Sequence, residues 1–301
     1  MKLSDKVVSK THRVLVYGEP KSGKTQLVSE LSSEFDLLYF DLENGYETML
    51  KLPTNQQERV ELISIPDTKT FPVAIETMLA VIKGQAVSIC ETHGKVSCSL
   101  CKKDSAPFTT VCLDSLPDTT IVVIDSLTQL SNSAMNHLTK GQPDLYKPEW
   151  ADYYNQGQLL DKFLSSVQQA RYNVACITHV IGAEQEDGKE KLFPVCGTSK
   201  FSRNTAKYFD HVVYCEVKNR KHMFGSSTLY TTNAMSGSRT GMEVEKMEVA
   251  SLIPIFKGQV PVHAGAISGT QAQRAVTNLS KLLAKQKDEP GLCIDPVDLM
   301  K

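Results

Sequence analysis

The fold prediction depends on the stretch Gly18-Glu19-Pro20-Lys21-Ser22-Gly23-Lys24-Thr25. An apolar, β-branched run at 13–17 precedes it and predicts a buried strand, and Leu27, Val28 and Leu31 follow at helical spacing. A strand, a glycine loop, Lys-Thr and a helix are the full context of the G-x-x-x-x-G-K-[ST] phosphate loop. The alternative is a chance glycine-rich turn before a helix. The flanking pattern favours a bound nucleoside triphosphate.

Each residue type in this loop suits a particular contact with a triphosphate. Gly18 and Gly23 allow backbone conformations closed to other residues, so that successive N–H groups can surround a phosphate. The helix that follows adds unpaired N–H donors. Lys24 is expected to reach the β- and γ-phosphates, and the Thr25 hydroxyl to bind Mg²⁺. All of residues 18–25 are therefore candidate nucleotide ligands, with Lys24 also a catalytic candidate.

Composition excludes several classes of protein. The chain has 301 residues with 41% hydrophobic content, enough for a sizeable core. Its formal net charge of −1 gives no global attraction to nucleic acid or membrane. No apolar run is long enough for a membrane span, and the N-terminal residues do not resemble a signal peptide. We expect a cytoplasmic protein, in which the eight cysteines are metal ligands or core residues rather than disulfides.

A second apolar strand, predicted at 36–41, is followed at once by Glu43. The carboxyl end of a strand in an open parallel sheet is where ligands bind. A carboxylate at that position can orient the water that attacks a γ-phosphate, so Glu43 is a catalytic candidate. The alternative is a capped turn, in which Asp41 or Asn44 caps a helix over 45–52, and both can hold together.

The run 119–126 is an apolar strand that ends in Asp125. This is the Walker B pattern, in which the carboxylate holds the Mg²⁺ shell together with Thr25. The alternative is a strand that simply ends in a helix-capping aspartate. A further strand over 173–179 ends in Thr178-His179, so His179 is a candidate sensor of the γ-phosphate, with a structural histidine as the alternative.

Residues 84–119 interrupt the α/β pattern and contain Cys90-x-x-His93 and, four residues later, Cys98-x-x-Cys101. Thiolate and imidazole ligands in two such pairs are typical of a tetrahedral Zn²⁺ site. The segment has too few apolar residues for its own core, so a structural metal would supply the missing stability. Cys112 is a secondary ligand candidate. Unrelated buried cysteines and a surface histidine are the alternative.

Basic residues cluster between positions 200 and 222, with a short helix predicted at 200–207 after a long polar loop at 180–199. Lys200, Arg203 and Lys207 lie among aromatic residues, a mixture that suits a single-stranded nucleic-acid groove. A solvated charged face is the alternative. Arg239, in a glycine- and serine-rich turn, is a candidate to reach a neighbouring subunit's triphosphate, or an ordinary surface arginine.

These elements predict an α/β fold with a mostly parallel central sheet flanked by helices, that is, a P-loop NTPase core. We expect the core over 1–250, with 84–119 as a small zinc-binding insertion, a helical segment over 251–287 and a flexible tail over 288–301.

With these motifs placed, the chain resembles the RecA superfamily. In RecA-like ATPases the second strand ends in Asp-x-Glu, whose glutamate is catalytic, and Asp41-Leu42-Glu43 matches that pattern. Asp125 matches Walker B, and Thr178-His179 stands where RecA itself has Asn-Gln. More narrowly, the chain resembles short phage-encoded RecA-like ATPases, some with a similar Cys/His insertion. The resemblance spans about residues 10–250.

The resemblance implies a DNA-stimulated ATPase that uses ATP and Mg²⁺ with single-stranded DNA in recombination, annealing or replication. It also implies a filament or ring with ATP between subunits, a single-strand-binding or annealing partner, and DNA contacts within 180–207. An adaptor that is switched by nucleotide and docks a replication partner through the zinc module and tail is the alternative. A P-loop kinase is disfavoured because no arginine cluster of the lid type is present.

Overall fold

The computed structural model describes residues 11–143, 145–184, 190–225, 233–238 and 252–258, all within one compact unit, Met1–Gln259. Eleven strands are found in these residues. They are β1 (Arg13–Gly18), β2 (Asp36–Asp41), β3 (Val60–Ser64), β4 (Val87–Cys90), β5 (Phe108–Val111), β6 (Thr120–Asp125), β7 (Asn173–Glu184), β8 (Glu190–Pro194), β9 (His211–Lys218), β10 (Lys221–Gly225) and β11 (Gly237–Ser238).

Helices connect most of these strands. The α-helices are α1 (Lys24–Ser29), α2 (Thr54–Gln57), α3 (Ala74–Val81), α4 (Ser99–Lys103), α5 (Leu127–Leu138), α6 (Trp150–Gln169), α7 (Ser199–Ser202) and α8 (Ile253–Phe256). Short 3₁₀ helices cover Glu30–Ser33, Tyr46–Lys51, Leu113–Ser115 and Thr205–Tyr208. Within the described part of the chain, no helix has both the length and the hydropathy needed to cross a bilayer.

The central sheet has the strand order β10-β9-β1-β7-β6-β2-β3, and its neighbours from β9 to β3 run parallel. β2 follows β1 in the chain but is not its neighbour in the sheet, because β7 and β6 lie between them. The carboxyl ends of β1, β7, β6 and β2 meet at one edge of the sheet. This edge brings the predicted site residues together.

Alternate residues of each central strand enter two cores on opposite faces of the sheet. In β1, Val14 and Val16 face α1 and α8, whereas Leu15 and Tyr17 face α3, α5 and α6. Every residue of β6 is buried, as expected for a central parallel strand covered on both faces. Burial of a large aliphatic side chain contributes about 1.5–3 kcal/mol, so these two cores dominate the stability of the sheet.

The segment 84–119 carries a second, two-stranded sheet. β4 and β5 pair antiparallel, with Val87 opposite Val111 and Cys90 opposite Phe108, and α4 lies between them in sequence. Cys90, Cys98 and Cys101 form a small buried cluster of their own, whereas Ile89, Val111 and Leu113 join the main core under α3 and α5.

The predicted fold class is confirmed, and the strands over 36–41 and 120–125 end where the sequence placed them. The predicted polar loop over 180–199 is wrong in its described part. β7 continues to Glu184 and pairs antiparallel with β8, because alternate partners such as Ile181 and Phe193 supply a regular ladder. The predicted helix over 45–52 is a 3₁₀ helix, Tyr46–Lys51. The domain boundaries at 250 and 287 stay predictions.

Candidate nucleotide and metal sites

The phosphate loop joins β1 to α1 through a backbone that glycine alone can follow at two points. A Cβ at Gly18 would lie 2.0 Å from the carbonyl oxygen of Cys215 on β9. Gly23, the residue before α1, has a φ of 90°, which disfavours any L side chain. Both glycines of the motif are therefore required by local geometry, and the α1 N-terminus opens directly into the loop.

Lys24 is buried at the start of α1, beneath this loop. Its ammonium donates to the carbonyl oxygens of Gly18 at 3.1 Å and Glu19 at 2.8 Å. An ammonium has three N–H donors, and two are satisfied by these carbonyls among the described residues. Burial lowers the pKa of Lys24, and Asp125 and Glu43 oppose that shift. A phosphate oxygen suits the remaining donor of this buried cation.

Thr25 and Asp125 meet across the sheet edge, as a Mg²⁺ site requires. The Thr25 hydroxyl donates to Asp125 Oδ2 at 2.9 Å, and the Tyr39 hydroxyl donates to the same oxygen at 2.7 Å. Burial raises the pKa of Asp125 to about 6, against the hydrogen bond from Tyr39. Hard oxygen donors of this kind are the ligands that Mg²⁺ prefers, so the pair fits a magnesium ion that also contacts a triphosphate.

Glu43 follows β2 and lies between two side chains from other strands. The hydroxyl of Ser126, next to Asp125, donates to Glu43 Oε1, and His179 Nε2 lies 3.5 Å from Glu43 Oε2. Burial raises the pKa of Glu43, but the bonds from His179 and Ser126 outweigh it and the net shift is downward. The carboxylate is ionised at neutral pH and can accept a hydrogen bond from water.

Asp41 forms the turn that presents Glu43. Its carboxylate accepts bonds from the backbone N–H groups of Glu43, Gly45 and Tyr46, at 3.1, 3.1 and 3.2 Å. The capping interpretation of this segment and the placement of Glu43 near Asp125 therefore hold together. Because Asp41 is fully buried, the turn is rigidly attached to the end of β2.

The edge of the sheet that carries Lys24, Glu43 and Asp125 is called the nucleotide edge below. Thr178 and His179 connect this edge to the chain that follows β8. The Thr178 hydroxyl donates to the carbonyl of Val195 at 2.5 Å, and the Val195 N–H donates to the carbonyl of His179 at 2.8 Å. Thr128 on α5 accepts from the His179 N–H at 3.0 Å. The backbone of His179 is thus held on β7, between β1, which leads into the phosphate loop, and β6, which ends in Asp125.

The four Cys/His ligand candidates converge. The ligand atoms of Cys90, His93, Cys98 and Cys101 all lie within 4.8 Å of one another, and His93 Nδ1 is 3.0 Å from Cys101 Sγ. Two sulfurs on one tetrahedral zinc are about 3.8 Å apart, given Zn–S bonds of about 2.3 Å. The donor set and its spacing fit a structural zinc ion.

Two cysteines of this module differ in their surroundings. Cys98 precedes α4, and the backbone N–H groups of Cys101 and Leu100 lower its pKa to about 7, which favours the thiolate. Cys112, the secondary ligand candidate, instead directs its thiol to the carbonyl of Gly84 at 3.4 Å and stands outside the cluster.

The basic residues predicted to contact DNA are exposed on one short segment. Lys200 lies in α7, Arg203 follows it, and Lys207 lies in the 3₁₀ helix Thr205–Tyr208. The Arg203 guanidinium stands 5.8 Å from the ring centre of Phe193 on β8. Arg239, the helical segment to 287 and the tail lie outside the described residues, apart from the short α8.

Sequence reasoning missed several residues that this site contains. Tyr39 and Ser126 had no motif to mark them, although each directly follows or lies within a predicted strand. His222 on β10 is 3.0 Å from the carbonyl oxygen of Ser22, in the phosphate loop. A carbonyl can only accept, so His222 Nδ1 carries the proton and donates. Only the pairing of β9 with β10 brings it there.

Comparison with known proteins agrees with this geometry. A family model described as an AAA domain matches residues 10–240, most of the chain. The chain belongs to the AAA domain family. A search of curated proteins found no match. The matched span of this AAA domain covers the phosphate loop, Glu43, Asp125, His179 and the Cys/His cluster.

Membership in the AAA domain family establishes a nucleotide-binding domain of the P-loop ATPase type. It implies a bound nucleotide with Mg²⁺, for which Lys24, Thr25 and Asp125 are placed suitably. The roles of individual residues, the narrower RecA-like assignment and the DNA contacts are predictions that the family match leaves open.

Proposed function

We propose that this AAA domain is a RecA-like ATPase of the phage lone-core type, which hydrolyses ATP while acting with single-stranded DNA. The observation that carries the ATPase assignment is the position of Glu43. Its carboxylate lies beside Walker B, bonded to Ser126 and 3.5 Å from His179, at the edge that also holds Lys24. Water positioning is the task that triphosphate hydrolysis requires of such a carboxylate.

The protein's own residues divide the work of the reaction. The phosphate-loop N–H groups and Lys24 hold the phosphates and offset the charge that develops on them. Glu43 orients the attacking water. Because its pKa is lowered, it is a weak proton acceptor and acts mainly through the hydrogen bond that it accepts. We assign to His179, whose Nε2 lies 3.5 Å from Glu43 Oε2, the role of sensing the γ-phosphate.

Two metal ions complete the proposal. Thr25 and Asp125 would hold Mg²⁺, which neutralises charge on the phosphates. Cys90, His93, Cys98 and Cys101 would hold Zn²⁺, which stabilises the insertion and has no open position for catalysis.

The link between His179 and the basic segment supports a role for DNA. Val195 is bonded to both Thr178 and His179, and the chain reaches Thr198, the N-cap of α7, three residues later. The Ser202 hydroxyl in α7 also accepts from the N–H of Cys196 at 3.0 Å. A movement at the γ-phosphate position is therefore connected to Lys200, Arg203 and Lys207 through a short chain of hydrogen bonds.

Other parts of the proposal follow from the RecA resemblance. These are assembly into a filament or ring with ATP between subunits, work with a single-strand-binding or annealing protein in phage recombination or replication, and location in the host cytoplasm. Arg239 is the proposed arginine that acts on a neighbouring subunit's nucleotide. Sedimentation with and without ATP tests the assembly.

ATP hydrolysis measured with single-stranded DNA, with double-stranded DNA and without DNA tests the central proposal. We expect single-stranded DNA to stimulate turnover. Lys24→Ala should abolish hydrolysis, and Glu43→Gln should retain nucleotide binding while turnover falls by about 100-fold or more, as when one aligned catalytic group is removed. Glu47→Gln, an exposed carboxylate on the adjacent 3₁₀ helix, is the matched control. Normal turnover by Glu43→Gln would refute the catalytic assignment.

The adaptor alternative has one feature in its favour. Leu100 on α4, beside the Cys/His cluster, is 56% exposed and gives the module an apolar contact point. An adaptor would hydrolyse ATP slowly, with no response to DNA. Absence of stimulation in the same titration, together with loss of partner binding in Leu100→Ser, would favour that function.

A further inference from the structure

A groove with a volume of about 480 Å³ lies between the first half of α6 and the segment that carries the predicted DNA contacts. α6 contributes Trp150, Tyr154 and Gly157 to its wall, and the other side contributes Lys200, Phe201 and Lys207. The groove is separate from the nucleotide edge, and none of the roles assigned above uses its aromatic wall.

Two aromatic rings on α6 stand in solvent. Trp150 is 78% exposed and Tyr154 is 54% exposed, although burial would stabilise both side chains. Their rings are nearly parallel, at 18°, with centroids 5.4 Å apart. The spacing of four residues places both on one helix face, so α6 presents this pair as one stacked aromatic surface.

The floor of the groove is open because a side chain is missing there. Gly157 follows Tyr154 by three residues on the same face, and a Cβ at this position would lie 3.9 Å from Phe201. A larger residue would fill the space between α6 and α7. Glycine costs helix stability of about 1 kcal/mol relative to alanine, so its presence inside α6 calls for a packing or binding reason.

Positive charge borders this aromatic surface. Lys200 and Lys207 are exposed, and the Lys207 ammonium lies 4.6 Å from the ring centre of Tyr208. The acidic group of the wall, Asp161, accepts the hydroxyl hydrogen bond of Tyr208. The groove therefore combines flat aromatic faces with two cations, the pairing that single-stranded nucleic acids bind through stacked bases and backbone phosphates.

We propose that this groove is a base-stacking site for single-stranded DNA, in which unpaired bases stack on Trp150 and Tyr154 while Lys200 and Lys207 contact phosphates. The inference rests on the proposed function and deepens it, because it places the bases on α6, which lies outside the basic segment. Stacking does not depend on base identity, so little sequence preference is expected.

The chain offers a direct readout, because Trp150 is its single tryptophan. Oligothymidylate should quench its fluorescence as bases stack on the indole. A chain of abasic sugar-phosphates should quench little and bind more weakly, since it retains the lysine contacts alone. Anisotropy of a labelled oligothymidylate then measures affinity for the variants, whose folding is checked by circular dichroism and thermal unfolding.

Trp150→Ala and Tyr154→Ala should each weaken binding by about fivefold to a hundredfold, the range for one stacked base. Trp150→Phe, which keeps a stacking face, should restore most of the affinity. Lys200→Ala with Lys207→Ala should instead flatten the salt dependence, by roughly 0.7 in log–log slope for each phosphate that a lysine no longer neutralises. Leu145→Ala, an apolar change at a site 93% exposed and outside the groove, is the matched control.

Separate outcomes overturn the two proposals. If wild-type protein binds oligothymidylate and its ATPase responds, but both alanine variants bind equally well, the groove assignment fails alone. If those variants alter sedimentation and leave DNA affinity unchanged, the aromatic surface is a protein interface, and the groove assignment again fails. If wild-type protein neither binds nor responds to single-stranded DNA, the proposed function fails, and the groove assignment with it.

Discussion

The nucleotide edge and the Cys/His cluster are built in opposite ways. The cluster takes its four ligands from positions 90 to 101, on one short insertion. The nucleotide edge brings together Lys24, Glu43, Asp125 and His179, which belong to or follow four different strands, β1, β2, β6 and β7. One site is local in sequence, and the other exists only when the parallel sheet has formed.

The two regions therefore depend on different sources of stability. β4 and β5 are anchored in the main core through Ile89 and Val111, but among the described residues the three cysteines pack only with Ala106 and Phe108. This is too little apolar surface to hold the ligand-bearing part of the module, 90–108, without a metal. The nucleotide edge rests on strands buried on both faces, so its side chains are placed by the core. Perturbation of the module should stay local, whereas perturbation of the edge should be felt by the whole sheet.

Metal removal should produce the largest effect and test the first half of this comparison. Structural zinc contributes about 10–16 kcal/mol of apparent binding free energy in small zinc modules. Chelation, or Cys98→Ser, should therefore unfold the ligand-bearing part of the insertion, 90–108, and expose it to protease, while the main unfolding transition moves little. Metal analysis should show one zinc per chain beforehand. Less than that under reducing conditions would contradict the zinc assignment.

Gly18→Ala tests the second half. The new Cβ would lie 2.0 Å from the Cys215 carbonyl, so β1 and β9 would have to separate. We expect a loss of about 3 kcal/mol or more in the free energy of unfolding, in the range of severe core changes. Gly45→Ala is the matched control, because nothing lies within 4 Å of its Cβ position. Equal stability of the two variants in urea would show that the edge is less tightly assembled than described.

The main core should also lose stability as the pH falls. His211 on β9 is buried, and this burial lowers its pKa to about 4. The nearby His12 and Arg13 lower the pKa further, whereas Asp210 raises it. The unfolded chain therefore binds more protons than the native state below about pH 6.5, the ordinary value. Stability is full above that pH and falls towards pH 4, by up to about 3 kcal/mol.

Urea unfolding across pH 4–8 measures this dependence. His211→Gln should flatten the acid limb, because the neutral amide does not titrate. An identical acid limb in His211→Gln and the wild type would refute the assignment.

The smallest effect is expected at His222. Its ring donates to the Ser22 carbonyl and packs against Gly23, so it steadies the phosphate loop from the neighbouring hairpin. Loss of one such hydrogen bond is worth about 1 kcal/mol, and His222→Ala should weaken nucleotide binding by about fivefold. His222→Asn, which keeps a donor, should recover part of it. Calorimetric titration with a non-hydrolysable triphosphate gives the affinities.

The sequence predicted what depends on local pattern. Residue types at fixed spacing marked three features: the phosphate loop Gly18–Thr25, the strand ending in Asp125 and the paired cysteines. The α/β class and the matching bounds of β2 followed from apolar runs punctuated by polar residues. The position of Glu43 at the edge of the sheet could be predicted because it follows a predicted strand at the ligand-binding edge, whereas its catalytic role stays a prediction.

What the sequence did not predict depends on pairing at long range. The β7–β8 ladder was mistaken for a polar loop, since its exposed positions carry polar and glycine residues. His222 reaches Ser22 across 200 positions. The exposed pair Trp150 and Tyr154 belongs to no motif, and only the folded chain places Lys200 and Lys207 opposite these two rings.

The strand β7 links the two proposed ligands through one set of backbone bonds. His179 contacts Glu43, and its carbonyl receives the N–H of Val195, from which the chain passes to α7. Linkage then makes the communication symmetrical. If nucleotide tightens the grip on a DNA strand by some factor, the strand must tighten nucleotide binding by the same factor. Two binding curves, each measured with the other ligand saturating, must agree in this ratio.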